Sequence, residues 1–409
     1  VIELNPVFKP VFTTDKRVIL LTGGRGAAKS FGINTVFCLI TYEKGHRILH
    51  TRWTMASADI SIIPEFKEKI SLLEVEPDFN IKEKEIINRA SGSEIFFRGL
   101  KTSSGNQTAS LKSIAGLTDL ILEEAEEIKE EKTYDDLNLS VRGMAAQNRI
   151  VIILNPTTID HWIYQKWFKD WLTYIEIDGE KIPISAHPDI LHLHLTYFDN
   201  LSHLPQQFID EMRQLKVSNP RKYRHTVLGG WLEKAEGVIF ENWEEGEFDT
   251  ALPYCYGLDL GFFPNPCALI KVAVSQKRKL IFLKEVAYEH KLSTQGVLDT
   301  LKRIEKKRDL INSDKDLRLY NEIKRAGFNI NLAIKGPGSI VNDIRDMQDY
   351  KMIVDPKSYN LKKELNNYVW NDKKASIPID AYNDLLDAAR YGFRRLVPRK
   401  ASGVKHVNR

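Results

Sequence analysis

Gly23-Gly24-Arg25-Gly26-Ala27-Ala28-Lys29-Ser30 is the first stretch whose residue types and spacing could do chemistry. It follows the apolar run 18–22 and precedes residues spaced as a helix. In that setting a glycine-rich loop wraps phosphates with its backbone N–H groups. The glycines let the backbone approach a β-phosphate, Lys29 would bring positive charge to the β- and γ-phosphates of ATP, and the Ser30 hydroxyl would ligate its Mg2+. Ala28 stands where glycine usually precedes the lysine, so an alanine has to take a backbone angle that glycine reaches more freely. A simple strand-to-helix turn is the competing reading.

A phosphate loop of this kind needs an acidic partner at the end of a neighbouring strand, and Leu120-Ile121-Leu122-Glu123-Glu124 offers two. Glu123 would support magnesium through water or Ser30, and Glu124 would polarise the water that attacks the γ-phosphate. Glu126 and Glu127 continue the acidic run and read as the exposed start of a helix. Asn155, before Pro156, closes the next apolar run; its amide could sense the γ-phosphate, and the pair equally fits a plain turn. Arg25 in the loop and Arg142 beyond the acidic motif are candidates for transition-state charge stabilisation, Arg25 from the same subunit and Arg142 from a neighbour in a ring. An ordinary surface arginine is the alternative for Arg142.

A second set of acids lies in the other half of the chain. Hydrolysis of a phosphodiester by two metal ions needs carboxylates converging on ions about 4 Å apart. Asp259 ends an otherwise apolar strand, Asp314 closes the run 310–313, and Asp387 lies on the last helix, expected over 380–393. Asp384 and Asp387 are three apart and share a face of that helix. The expectation is two divalent ions, Mg2+ or Mn2+, held by Asp259, Asp314 and Asp387, with Asp384 as a further ligand.

The elements that must position these residues follow from the hydrophobic pattern. Runs at 18–22, 47–51, 94–98, 117–122 and 150–154 are rich in Ile, Val and Leu, as buried parallel strands are. Between them, 30–41 and 64–73 carry apolar residues at helical spacing, so the first half is an α/β domain with a parallel central sheet. Residues 162–231 read as a helical and loop-rich subdomain of the first domain, spanning 1–230, and 231–250 as a linker. From 251 to 409 the order is three strands (254–260, 267–274, 280–286), a helix (293–308), a strand (310–313), a helix (317–326) and a strand (329–333). That order is the one of a ribonuclease H-like domain.

Composition agrees with two packed domains: 409 residues, 43% hydrophobic and 28% charged. The apolar runs are too short to span a membrane, and no secretory leader is read at the start of the chain. The three cysteines, Cys38, Cys255 and Cys267, lack paired metal-ligand spacing, which fits a reducing, cytoplasmic compartment and argues against zinc. A net charge of +4 is far from that of a protein held on nucleic acid by charge alone. Locally, Lys302, Arg303, Lys306, Lys307 and Arg308 form a basic stretch, and 394–409 is a basic tail.

With both sets placed, the chain resembles the large subunit of tailed-phage terminases, along nearly its whole length. The resemblance rests on the stretches at 23–30 and 121–127, Leu-Asn-Pro at 154–156, Tyr-Gly-Leu-Asp-Leu-Gly at 256–261, Lys-Gly-Pro-Gly-Ser-Ile at 335–340 and Asp-Ala-Ala-Arg-Tyr at 387–391. The last two point to the branch that includes defective-prophage terminases. The resemblance implies a P-loop ATPase joined to a ribonuclease H-like nuclease, a motor that drives double-stranded DNA into a procapsid and cuts concatemers in the host cytoplasm. It also implies a portal protein and a small terminase subunit as partners, and a homo-oligomeric ring on the procapsid from a chain that is monomeric alone. By the same resemblance Lys29 and Ser30 serve nucleotide and magnesium, Glu124 water activation, Asn155 coupling, and Asp259, Asp314 and Asp387 the nuclease metals. Three departures stand out: Glu123 where aspartate is usual, Lys315-Asp316-Leu317 after Asp314 where Ser-Ala, an acid and proline are usual, and Asp384 where histidine is common. The second departure leaves Asp316 as the alternative to Asp314.

Overall fold

The computed structural model describes all residues except 1–3, 103–104, 107–113, 236, 262–265, 291–292, 315, 334–337, 372–376 and 399–409. Lys315, residues 335–337 of the glycine-proline motif and most of the basic tail therefore lie outside the described residues. Two compact units divide the chain, Val1–Glu233 and Lys234–Arg409. Among the described residues no helix is long and apolar enough to cross a membrane.

Unit 1 contains β1 (Val18–Gly23), β2 (Arg47–Thr54), β3 (Phe79–Ile81), β4 (Glu85–Asn88), β5 (Glu94–Thr102), β6 (Gly105–Asn106), β7 (Asp119–Leu122), β8 (Arg149–Ile153), β9 (Leu172–Ile177), β10 (Glu180–Ser185) and β11 (Ile190–Leu195). The main sheet runs β11-β1-β8-β7-β2-β5-β4-β3, with β6 on β5. From β11 to β5 every pairing is parallel, and β3, β4 and β6 add an antiparallel margin. The central strands are apolar at successive positions because both faces are covered. Ile19 and Leu21 point to one core with Ile33, Val36 and Phe37, whereas Leu20 points to the other with Leu120 and Ile150. Two helices carry the first of these cores, α1 (Lys29–Ile40) and α2 (Ile62–Leu72). Each such buried aliphatic or aromatic side chain contributes on the order of 1.5–3 kcal/mol.

The stretch 162–231 carries helices, Trp162–Trp167 and Gln206–Ser218 among them, and also strands that were not expected. It forms the β9–β10 hairpin and supplies β11, which extends the main sheet beside β1. The alternating pattern of Ile190-Leu191-His192-Leu193-His194-Leu195 hides a sheet strand behind two histidines.

Unit 2 holds a seven-stranded sheet: β12 (Trp243–Glu245), β13 (Tyr254–Asp259), β14 (Cys267–Ser275), β15 (Leu280–Glu289), β16 (Leu310–Ser313), β17 (Asn329–Leu332) and β18 (Lys351–Val354). Its order is β12-β18-β15-β14-β13-β16-β17. The first three long strands form an antiparallel meander, and β16 runs parallel to β13. Helices α3 (Thr294–Leu301), α4 (Leu317–Arg325), α5 (Ser339–Gln348), α6 (Tyr359–Asn367) and α7 (Asp384–Leu396) complete it.

Three expectations are corrected here. The segment 231–250 is not a free linker, since Val238, Ile239 and Phe240 are buried and β12 pairs with β18. The helix expected over 293–308 stops at Leu301, where Lys302/Lys306 and Arg303/Lys307 would stack like charges one turn apart. The last helix starts at Asp384 rather than 380, after Tyr382 takes a left-handed backbone (φ 56°) that interrupts the helical path.

Candidate functional site

The loop at 23–30 joins β1 to α1 at the carboxyl end of the parallel strands, where α/β sheets bind ligands. The glycines are there because other backbone occupies their Cβ positions. A Cβ on Gly23 would stand 1.8 Å from the Leu195 carbonyl oxygen, and one on Gly24 1.8 Å from that of Val227. Arg25 N–H donates to Thr226 O at 2.9 Å, and Asn200 Nδ2 donates to Gly26 O at 3.0 Å. Ala28 sits at φ 55°, ψ 30°, the left-handed conformation that a glycine would take without strain. Glu124 takes φ 50°, ψ 52°, so two strained non-glycine residues flank one cleft.

That cleft is lined by Gly24, Arg25, Gly26, Ala27, Ala28, Lys29, Ser30, Glu65, Glu123, Glu124, Glu126 and Asn155, among others. Lys29 Nζ donates to Gly23 O (3.2 Å), Gly24 O (3.0 Å) and Asn155 Oδ1 (2.9 Å). Burial pulls its ammonium down to about 8, against the pull of Glu126 and Glu123. Ser30 Oγ donates to Glu123 Oε1 at 2.5 Å. The other Glu123 oxygen is buried and accepts no hydrogen bond among the described residues, with His50 Nε2 at 3.8 Å. A hydroxyl and a carboxylate with an oxygen to spare are a hard-cation donor set, so these residues fit magnesium.

Sequence reasoning missed four contributors to this cleft. Arg52, at the end of β2, pairs with Glu124 Oε2 at 2.6 Å. Glu126 is not on an exposed helix start: it lines the cleft, accepts from Asn155 Nδ2 at 3.3 Å, and burial pushes it up to about 7. Glu65, on α2, also lines the cleft and is pushed up to about 7, first by burial and then by Glu123. His194, from β11, carries a charge contact with Lys29. Of these, Glu126 had a local signal in its contiguity with Glu123 and Glu124, and His194 one in its two-residue spacing from His192. Arg142 is not in the cleft. Its N–H donates to Leu117 O, before β7 begins and hence at the opposite end of the strands from Glu123.

In unit 2, β13 and β16 run in parallel with Leu258 opposite Ser313, so Asp259 and Asp314 are the next residues on adjacent strands. Asp316 instead caps α4, accepting from Leu319 N–H at 2.9 Å. Helix α7 lies directly on β13, and a Cβ on Gly257 would stand 1.7 Å from Ala388 O. This contact brings Asp387 to the strand ends. Burial, then Asp259, Asp387 and Asp314, raises the Tyr391 hydroxyl, which shares a neighbourhood with all three acids. Behind them Arg390 is buried and donates to Asp387 Oδ1 (3.1 Å) and Asp343 Oδ2 (3.3 Å). Asp384 accepts from Tyr288 Oη at 3.3 Å and is raised to about 6, first by burial, with the Asp387 charge adding to it. The donors are all carboxylate oxygens, the set that Mg2+ and Mn2+ take. As placed, no three His, Cys, Asp or Glu among the described residues close into a metal-holding group.

The family model described as phage terminase large subunit matches residues 15–230, and the one described as terminase RNase H-like domain matches 259–395. The large terminase subunit of Bacillus phage SPP1 is 28% identical over 426 aligned residues, covering 96% of each chain. The PBSX phage terminase large subunit of Bacillus subtilis (strain 168) is 22% identical over 370, covering 86% of this chain and 83% of that one. Among solved structures, the large terminase nuclease domain from bacteriophage SPP1 with bound Mn is 26% identical, with a TM-score of 0.36, covering 39% of this chain and 98% of that one.

Proposed function

The chain belongs to the phage terminase large subunit family and serves phage DNA packaging, and from that premise we propose that unit 1 hydrolyses ATP while unit 2 cuts double-stranded DNA. The observation that carries the reading is the convergence of Lys29, Ser30, Glu123, Glu124 and Asn155 on one cleft at the carboxyl end of the sheet. Lys29 holds its charge against three acceptors that phosphate oxygens would replace. Ser30 and Glu123 hold Mg2+, which when bound draws charge from the β- and γ-phosphates. Glu124 orients and deprotonates the attacking water, and Arg52 aims its carboxylate. Asn155 links Lys29 to Glu126 and so reads the γ-phosphate side. Arg25, exposed on the loop, adds positive charge to the same cleft. Arg142, at the far end of the strands, reaches a nucleotide only from a neighbouring copy in a ring.

In unit 2, Asp259, Asp314 and Asp387 hold two divalent ions, with Asp384 beside them; when bound, such ions supply an activated water and stabilise the leaving oxygen. The chain works on a portal in the infected cell's cytoplasm, as a ring recruited with the small terminase subunit. DNA-stimulated ATP turnover and plasmid digestion with Mn2+ test this together. Glu124→Gln is expected to stop the first and Asp259→Ala the second; turnover that persists in Glu124→Gln, or cutting that persists in Asp259→Ala, refutes the corresponding half.

A further inference from the structure

Beneath the phosphate loop, two histidines bracket one hydroxyl. Thr22 is the last side chain before Gly23, and its Oγ1 lies 2.7 Å from His192 Nε2 and 2.8 Å from His194 Nδ1. Ser185 N–H donates to His192 Nδ1 at 3.0 Å, and His194 Nε2 lies 2.8 Å from Leu228 O. The ends fix every proton between them. A carbonyl only accepts, so His194 carries its proton on Nε2; a backbone N–H only donates, so His192 Nδ1 is bare. With both rings neutral, His192 Nε2–H donates to Thr22 and the Thr22 hydroxyl donates to His194 Nδ1. The result is one chain of hydrogen bonds of single polarity, from Ser185 through His192, Thr22 and His194 to Leu228.

This chain joins the backbone stretches that form the floor of the loop. Leu195, next to His194, presents the carbonyl that fills the Cβ position of Gly23 and accepts from Gly24 N–H at 3.2 Å. Val227, next to Leu228, fills that of Gly24, and Gly229 packs on Gly23. The charged groups that act on His194 are Lys29 and Asp199, and the titratable neighbour of His192 is the His194 ring. We propose that His192, Thr22 and His194 are positioning residues for ATP hydrolysis, a polarised strut that sets the depth of Gly23 and Gly24 beneath the bound phosphates.

The proposal rests on the nucleotide reading of the cleft, and its test separates the two. Thr22→Val keeps the shape and removes both inner hydrogen bonds. It is expected to raise the KM for ATP about tenfold or more, since His192 Nε2–H and His194 Nδ1 both lose their buried partner, with kcat within about twofold. Thr22→Ser is expected to restore it. Imidazole 15N NMR of the full chain should show both rings as neutral Nε2–H tautomers at pH 6, each perturbed in Thr22→Val. An Nδ1–H tautomer or a charged ring in the wild type at that pH overturns the strut, as does an unchanged KM in Thr22→Val. If Thr22→Val does not fold, the wild-type tautomers and the Thr22→Ser kinetics decide. Wild type that shows these tautomers yet binds no ATP overturns the nucleotide reading and, with it, the strut's role.

Discussion

Unit 1 brings opposite charges together in its site, Lys29 and Arg52 among Glu123, Glu124 and Glu126, whereas the strand ends of unit 2 present Asp259, Asp314 and Asp387 with their cation, Arg390, buried behind the last of them. The first arrangement is tied together by hydrogen bonds that leave one Glu123 oxygen spare, and its glycines yield space to backbone carbonyls. The second gathers like charges by strand register and helix contact, and its ion pairs lie within the packed layer beneath α7. Residues of the first site should therefore be removable with loss of chemistry and little loss of fold, whereas disturbing the second should weaken unit 2 itself.

The largest effect that sharpens this contrast is on rate. Glu124→Gln is expected to lower ATP turnover about 10²–10⁴-fold, with a urea midpoint close to wild type and Mn2+-dependent cutting intact. A midpoint that collapses with the rate would erase the distinction. Next in size, Arg390→Leu removes the buried cation between Asp387 and Asp343 and should cost roughly 3–5 kcal/mol, read by denaturation of the full chain. Equal loss from Arg52→Leu would show that unit 1 depends on its pair just as heavily.

A smaller effect separates the neutral histidines from the charged cleft above them. Burial holds His192 near 3 and His194 near 4, below the ordinary 6.5. Below pH 6.5 the unfolded chain takes up protons that the fold refuses, so their contribution is present above 6.5 and is lost as pH falls toward 4. Glu65 and Glu126, held near 7, act in the opposite direction between their ordinary range and 7. The histidine part is read by difference: wild-type stability should fall more steeply with acid than that of His192→Asn, by up to about 1.4 kcal/mol per pH unit. Parallel slopes would mean that His192 titrates as an ordinary histidine. Smallest of all, Ala28→Gly relieves a left-handed backbone that costs roughly 1–2 kcal/mol, less the extra chain entropy of glycine, and should raise stability by up to about 1 kcal/mol without altering cutting. A loss of stability there would show that Ala28 packs better than it bends.

The candidate residues that the fold gathers into one cleft are those whose signal lies in contiguous stretches of the chain. Lys29 and Ser30 follow their own loop, and Glu123 and Glu124 end an apolar strand whose burial is written in consecutive Ile and Leu. Glu65 and Arg52 reach the cleft from α2 and β2, and no local spacing announces a carboxylate or guanidinium that arrives by packing. His192 and His194 carried a signal, two residues apart and so on one face of a strand; it was lost because β11 was not read as a strand. Arg142, read as acting from a neighbouring copy, lies at the end of the strands away from Glu123, and no spacing within one chain tells which copy it serves.

At Gly257 the strand and the helix above it need the same space, and hydrogen is all that fits beneath the Ala388 carbonyl. Asp387 is the residue just before Ala388, and a helix shifts as a rod, so a methyl group at 257 would lift that carboxylate together with its support. The two-ion cutting proposed for this site, with ions about 4 Å apart, would have little slack for such a shift. In that proposal the smallest residue in β13 acts as a gauge block, setting the clearance to which the carboxylate jaw closes.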